Sequence, residues 1–161
     1  MDYLWSPWRY DYMASAEKVG KSTSCVFCIG DDPAQDAERL VVHRGIYNFI
    51  ILNLFPYTSG HLMVAPYAHL SSVVNASSEQ TAEMMDLAKR AIDALTTVYH
   101  PEGFNMGMNL GHVAGAGVRD HFHLHVVPRW AGDSNFMTIT GETRVLPEEV
   151  TTTYSRLKSR W

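Results

Sequence analysis

The chain has 161 residues with 46% hydrophobic content, which suits a single domain with one substantial core. Its formal net charge of -4 argues against broad nucleic-acid binding, because that needs clustered positive charge. No segment approaches the roughly 20 apolar residues of a membrane span, and the N-terminus lacks the apolar run of a signal peptide. We therefore expect a cytoplasmic protein with no nucleic-acid or membrane partner.

An antiparallel sheet is the main structure predicted along the chain, after an irregular N-terminal arm. Extended apolar segments bounded by turn residues indicate about five strands. The predicted strands cover residues 40–43, 49–53, 61–66, 104–110 and 122–127.

One long amphipathic helix is predicted between the third and fourth strands. Ser77 and Gln80 form a capping-box pattern, and apolar residues then recur at helical spacing over residues 78–99. A shorter C-terminal helix is predicted over residues 147–158. Together these elements predict an α+β fold. The fold divides into an arm (1–24), a domain (25–136) and a C-terminal extension packed on that domain (137–161).

Three histidines alternate with apolar residues in the last predicted strand. Residues two apart on a strand lie on one face at roughly 6.5–7 Å, so we expect His121, His123 and His125 to form a row. The residues between them are expected to point into the core beneath the helix: Phe122, Leu124 and Val126.

A histidine row suits either metal binding or nucleophilic and acid–base catalysis; the remaining alternative is a solvated strand face. Three positions spanning roughly 13 Å cannot converge on one catalytic zinc ion. The segment Gly115-Ala116-Gly117 precedes the row, and its small residues would let backbone N–H groups approach an anion. This combination favours a phosphate ligand beside a nucleophilic His123, although glycines in such a loop are also ordinary turn residues.

The two cysteines of the chain, Cys25 and Cys28, form a single CxxC motif. In a reducing compartment this spacing indicates a metal site or a redox pair more than a structural disulfide. Two idle thiols are the third possibility.

The segment from His121 to Val127 resembles the signature of the histidine triad (HIT) family, His-φ-His-φ-His-φ-φ with φ apolar, at every position. The resemblance runs from about Cys25 to Trp130. Within the family, the chain most resembles a bacterial branch related to diadenosine tetraphosphate phosphorylases. Two stretches carry this resemblance, Leu4 to Arg9 and Pro128 to Phe136.

The resemblance implies an enzyme in which His123 attacks the α-phosphorus of a nucleoside polyphosphate or phosphoramidate. Water or inorganic phosphate would then resolve the nucleotidyl-histidine intermediate. It also implies that His125 and His61 contact phosphate or leaving-group oxygens and that Asn53 contacts the ribose. The other implied nucleotide-binding residues are Ile51, Met63, Asn109, Gly115, Ala116, Gly117 and Val118. Many family members carry Gly-Gln-Ser/Thr in this loop, with side chains that contact the phosphates. Here the loop is Gly115-Ala116-Gly117-Val118, so the phosphate contacts would come mainly from backbone amides. Whether water or phosphate is the acceptor stays open.

Zinc-bearing members of the family imply a structural zinc ion, with His121 as a ligand and not the general acid. The implied ligands are Cys25, Cys28, His69 and His121. The resemblance further implies a homodimer, for which the edge of the predicted 104–110 strand would be suitable. Two alternatives stay open for the function: a non-catalytic nucleotide- or zinc-binding regulatory module, and an adenosine phosphoramidase.

Overall fold

The computed structural model describes residues 25–133 and 148–161. Their fold is α+β, as predicted, with a five-stranded antiparallel sheet in the order β1-β2-β3-β5-β4. The strands are β1 (Val41–Arg44), β2 (Asn48–Leu52), β3 (Leu62–Pro66), β4 (Gly103–Gly107) and β5 (Leu124–Arg129). The helices are α1 (Asp36–Arg39), α2 (Ser78–Tyr99) and α3 (Val150–Lys158).

The predictions for the 1–24 arm, including Leu4 to Arg9, and for residues 134–136 lie outside the described residues. The domain boundaries stay predictions. Within the described ranges, no helix is long and apolar enough to span a bilayer.

Helix α2 begins and ends where the sequence pattern predicts. The Ser77 hydroxyl accepts from the Gln80 N–H, and the Gln80 side chain accepts from the Ser77 N–H, so the capping box is complete. The helix ends at Tyr99, and the C-cap residue His100 has a left-handed φ of 48°. Its apolar face is buried against the sheet.

The two faces of the sheet carry different side chains because strand residues alternate. Phe122, Leu124 and Val126 lie in the core beneath α2, as predicted. The opposite face carries a second apolar cluster: Phe27, Val41, Phe49, Ile51, Met63 and Ala65. Helix α2 therefore covers one face of the sheet, and the histidines lie on the other.

Helix α3 packs beside strand β1. Its Leu157 side chain is fully buried in the main core. The Tyr154 hydroxyl donates to the Val41 carbonyl at 3.2 Å, and the Lys158 ammonium donates to the Val42 carbonyl at 3.0 Å. These contacts satisfy backbone acceptors of an edge strand. The predicted start at residue 147 was too early, because the helix begins at Val150.

The histidine strand begins later than predicted. Strand β5 starts at Leu124, whereas the predicted strand covered residues 122–127 and the predicted histidine row extended it to His121. The Phe122 N–H donates to the Leu70 carbonyl at 2.7 Å, outside the sheet ladder. His121 therefore precedes the strand, and its side chain is free to serve a different site from those of His123 and His125. The fourth strand likewise ends at Gly107, before the predicted residue 110.

Candidate functional site

The backbone partner of His123 shows which of its ring nitrogens carries the hydrogen. Nδ1 of His123 lies 3.0 Å from the His121 carbonyl oxygen. A carbonyl can only accept, so Nδ1 carries the hydrogen and Nε2 keeps a lone pair. Burial lowers the pKa of His123, and the Phe27 ring packs against it with centroids 4.6 Å apart. His123 is therefore a neutral imidazole whose Nε2 keeps its lone pair.

Two donors near Nδ1 of His61 show which of its ring nitrogens carries the hydrogen. Nδ1 of His61 accepts from the Tyr57 N–H at 3.1 Å. The Asn53 amide nitrogen lies 3.2 Å from the same atom. The Asn53 amide is assigned this way round because its Oδ1 accepts from the Phe55 N–H. Nδ1 is therefore an acceptor, and the hydrogen of His61 is on Nε2.

The hydrogen on His61 Nε2 determines the direction of the hydrogen bond between His61 and His125. Nε2 of His61 lies 2.9 Å from Nδ1 of His125, so His61 donates and Nδ1 of His125 accepts. The hydrogen of a neutral His125 is consequently on Nε2. Burial, followed by the neighbouring rings of His125 and His123, lowers the pKa of His61 to about 3, which keeps His61 neutral at physiological pH.

The structure places His61 behind His125. His61 is 0% exposed, and both of its ring nitrogens are engaged by protein groups. Tyr57 packs against this pair, with ring centroids 4.6 Å from His61 and 6.0 Å from His125. Tyr57 and Phe27 were not predicted from the sequence. Tyr57 lies in no motif, Phe27 occupies an unspecified position between the two cysteines, and the tertiary fold forms both contacts.

Strand register aligns His125 with two of the residues predicted to line a base pocket. Ile51 of β2 pairs with Met63 of β3, Met63 pairs with His125, and His125 pairs with Gly107 of β4. Paired residues share a face of the sheet. Ile51, Met63, His125 and Gly107 therefore form one row across the sheet, and Val118 packs on the same apolar cluster.

The glycine-rich loop is closed by Asn109, whose amide nitrogen lies 3.5 Å from the Gly115 carbonyl. Gly115 has a φ of 86°, a conformation that side chains disfavour. Ala116 is buried and Gly117 is exposed. The loop thus offers backbone groups, and the side chains of residues 115–118 include no proton donor.

All four predicted metal ligands lie together. The ligand atoms of Cys25, Cys28, His69 and His121 are within 4.8 Å of one another. His121 Nε2 donates to the Pro66 carbonyl at 2.8 Å, which leaves Nδ1 facing the thiols.

The spacing in this cluster suits zinc. Nδ1 of His121 lies 3.5 Å from the Cys25 sulfur, and Nδ1 of His69 lies 3.2 Å from the Cys28 sulfur. Zn–S and Zn–N bonds of about 2.3 and 2.0–2.1 Å in a tetrahedron give a sulfur–nitrogen separation of about 3.5 Å. The donor set and its spacing therefore fit a closed structural zinc site.

The fold and this site define an α+β enzyme of the histidine triad type. The HIT domain model matches residues 34–132, and the chain belongs to the HIT family.

The chain is similar to AP-4-A phosphorylase of Mycobacterium tuberculosis, with 40% identity covering 98% of this chain and 83% of that protein. It is also similar to adenosine 5'-monophosphoramidase hnt1 of Schizosaccharomyces pombe, with 29% identity covering 66% and 74%. Among solved structures, a zinc-bound histidine triad family protein from Mycobacterium smegmatis aligns with a TM-score of 0.66 and 29% identity, covering 86% of this chain and 94% of that one.

Proposed function

We propose that this chain transfers the nucleotidyl group of dinucleoside polyphosphates, such as diadenosine tetraphosphate, to inorganic phosphate through a covalent intermediate on His123. The observation that carries the proposal is the hydrogen bond from His123 Nδ1 to the His121 carbonyl, which leaves Nε2 as a lone-pair nucleophile. The similarity to an AP-4-A phosphorylase supports both the substrate and the acceptor.

The reaction proceeds in two displacements at the α-phosphorus. Nε2 of His123 forms a P–N bond while the P–O bond to the rest of the polyphosphate breaks, and ATP leaves with the electron pair. The His121 carbonyl then accepts a hydrogen bond from a cationic ring, which is stronger than one from a neutral ring. An oxygen of inorganic phosphate attacks the same phosphorus, the P–N bond breaks, and ADP and neutral His123 result.

The remaining site residues take the roles that the family resemblance implies. His125 donates from Nε2 to a phosphate oxygen, and Asn53 contacts the ribose. Ile51 and Met63 line the base pocket, supported by their place in the row that contains His125. The phosphates are bound by Asn109 and the backbone of the loop: Gly115, Ala116, Gly117 and Val118.

The acceptor is tested by supplying diadenosine tetraphosphate with isotope-labelled inorganic phosphate. We expect ATP and labelled ADP as products, because phosphate resolves the intermediate. AMP without labelled ADP would show that water is the acceptor. Tight AMP binding with no product would favour the non-catalytic regulatory module instead.

We further propose a structural zinc ion bound by Cys25, Cys28, His69 and His121, supported by the geometry of the cluster and by the zinc-bound relative. The ion would brace the segment that leads into β5, since His121 contributes its side chain to the cluster and its carbonyl to His123.

Replacing Cys25 by serine is expected to reduce zinc content and thermal stability, because a hard hydroxyl is a poor substitute for a thiolate ligand. The measurement is metal analysis of the purified protein together with thermal unfolding. The exposed Val26, between the two cysteines, provides the control Val26→Ser. Equal zinc content and melting temperature in Cys25→Ser and Val26→Ser would contradict the zinc site.

A homodimer is also proposed, with strand β4 at the interface. β4 lies at the edge of the sheet, and apolar side chains near it are exposed, including Met106, Leu110 and Val113. Pairing of this edge with a second copy would satisfy its backbone groups. A cytoplasmic location stays a prediction from the sequence.

A further inference from the structure

The turn that joins the two cysteines places one of its side chains in the protein interior. The Cys28 N–H donates to the Cys25 carbonyl at 3.0 Å, which closes the turn around Val26 and Phe27. Val26 is 55% exposed, whereas Phe27 is only 4% exposed. The turn therefore presents an aliphatic side chain to solvent and buries an aromatic ring.

The buried ring of Phe27 packs against two histidines of the triad. Its centroid lies 4.6 Å from that of His123, with the ring planes at 38°, and 5.5 Å from that of His121. Phe27 also belongs to the apolar cluster that contains Ile51 and Met63. Because so little of its surface is exposed, the ring contacts the protein's own side chains and offers little area to a substrate.

The hydrogen bond of His123 is not sufficient to fix the orientation of its ring. The χ2 torsion of histidine has broad minima, so the imidazole can tilt while Nδ1 stays bonded to the His121 carbonyl, 3.0 Å away. A second ring packed against the imidazole restricts this movement. The orientation matters because attack on phosphorus requires Nε2 in line with the leaving oxygen, and a misplacement of about 1 Å can cost about 10²-fold in rate.

We propose that Phe27 is a positioning residue, which holds the imidazole of His123 so that Nε2 faces the α-phosphorus of the substrate. The turn between the cysteines then serves two sites, because Cys25 and Cys28 belong to the Cys2His2 cluster and Phe27 supports the nucleophile. The inference rests on the proposed function, since it concerns the same nucleophile. It assigns a role in the reaction to a residue outside the triad strand.

The first test replaces Phe27 by leucine, which keeps an apolar side chain but has no flat ring. We expect kcat for diadenosine tetraphosphate to fall by about 10- to 100-fold and KM to change little, because the nucleophile is misplaced and the binding groups are kept. The matched control is Phe49→Leu. Phe49 is a fully buried phenylalanine of the same cluster, and its ring packs against Tyr67 at 5.3 Å. This variant should lose a similar amount of thermal stability and keep the wild-type kcat.

Two kinetic results would overturn the inference. Equal kcat in Phe27→Leu and Phe49→Leu would show that Phe27 only fills the core. A raised KM with an unchanged kcat in Phe27→Leu would show that Phe27 contacts the substrate and does not orient the nucleophile. If leucine prevents folding, Phe27→Met provides a more adaptable apolar side chain, and the same fall in kcat is expected.

The second test measures the tautomer of His123 by imidazole nitrogen NMR on the full chain, and it is independent of turnover. In the wild type and in Phe49→Leu we expect the hydrogen on Nδ1 alone, bonded to the His121 carbonyl. In Phe27→Leu we expect a mixture of both neutral tautomers, because the ring is no longer held against that carbonyl. A hydrogen on Nδ1 alone in Phe27→Leu would overturn the inference. If the wild type cleaved no dinucleoside polyphosphate, the proposed function would fail, and the NMR comparison would still decide the role of Phe27.

Discussion

Replacing His123 by glutamine is expected to lower kcat for diadenosine tetraphosphate cleavage by about 10⁴-fold or more, because the reaction loses its nucleophile. Glutamine keeps a polar side chain of similar length but has no nitrogen lone pair that can attack phosphorus. Substrate binding should change much less than kcat, since the proposed base pocket and phosphate loop are untouched. The measurement is kcat and KM for the variant beside the equilibrium binding of AMP.

The matched control is a histidine that is not among the site residues. His100 is exposed and has a left-handed backbone conformation at the end of α2, a conformation that asparagine tolerates. We therefore expect His100→Asn to retain wild-type kcat and stability. If His123→Gln kept kcat within tenfold of this control, the nucleophile would have to be another group.

Replacing His125 by alanine is expected to lower kcat by about 10² to 10³-fold, the usual effect of removing a donor that stabilises transition-state charge. His125→Gln should lose less, because its amide group can donate a hydrogen bond from a similar position. This order, wild type above glutamine above alanine, is expected only if His125 acts as a donor and does not transfer a proton. The measurement is kcat for both variants with the polyphosphate substrate.

Thermal unfolding of both His125 variants separates catalysis from folding. Equal and complete loss of activity in His125→Gln and His125→Ala, at wild-type stability, would contradict the donor role and indicate proton transfer. Wild-type activity in His125→Ala would remove His125 from the site altogether.

Local patterns predicted much of the fold because they depend on neighbouring residues. The capping box of Ser77 and Gln80 and the apolar spacing after it define α2 almost to the residue. The alternation of Phe122, Leu124 and Val126 correctly identified the face of the sheet beneath the helix. The start of β5 was not predictable in this way. It depends on a hydrogen bond between Phe122 and Leu70, which are distant in sequence.

In the site, too, residue identities could be predicted from the sequence, whereas their long-range contacts could not. Residue types and the family resemblance indicated the four members of the Cys2His2 cluster, which the structure brings together. The protonation states of the histidines depend on backbone and side-chain partners that no motif records. His61 is oriented by Tyr57 and Asn53, and His123 by the carbonyl of His121.

The three histidines of the triad differ in the structure although they look equivalent in the sequence. In sequence, His121, His123 and His125 occupy equivalent alternating positions. In the structure, His121 presents Nδ1 to two thiols, His123 has its lone pair on Nε2, and His125 accepts a hydrogen bond from His61. Their chemical differences arise from these partners and not from the residue type.

Trapping the covalent intermediate tests the central claim most directly. The protein is mixed with diadenosine tetraphosphate without inorganic phosphate, quenched in alkali, in which phosphorus–nitrogen bonds to histidine persist better than in acid, and digested for mass spectrometry. We predict one adenylyl group on the peptide that contains His123, located on His123 by fragmentation and lost when phosphate is added before the quench. Turnover without any labelled histidine, or an adenylyl group on another residue, would contradict the account.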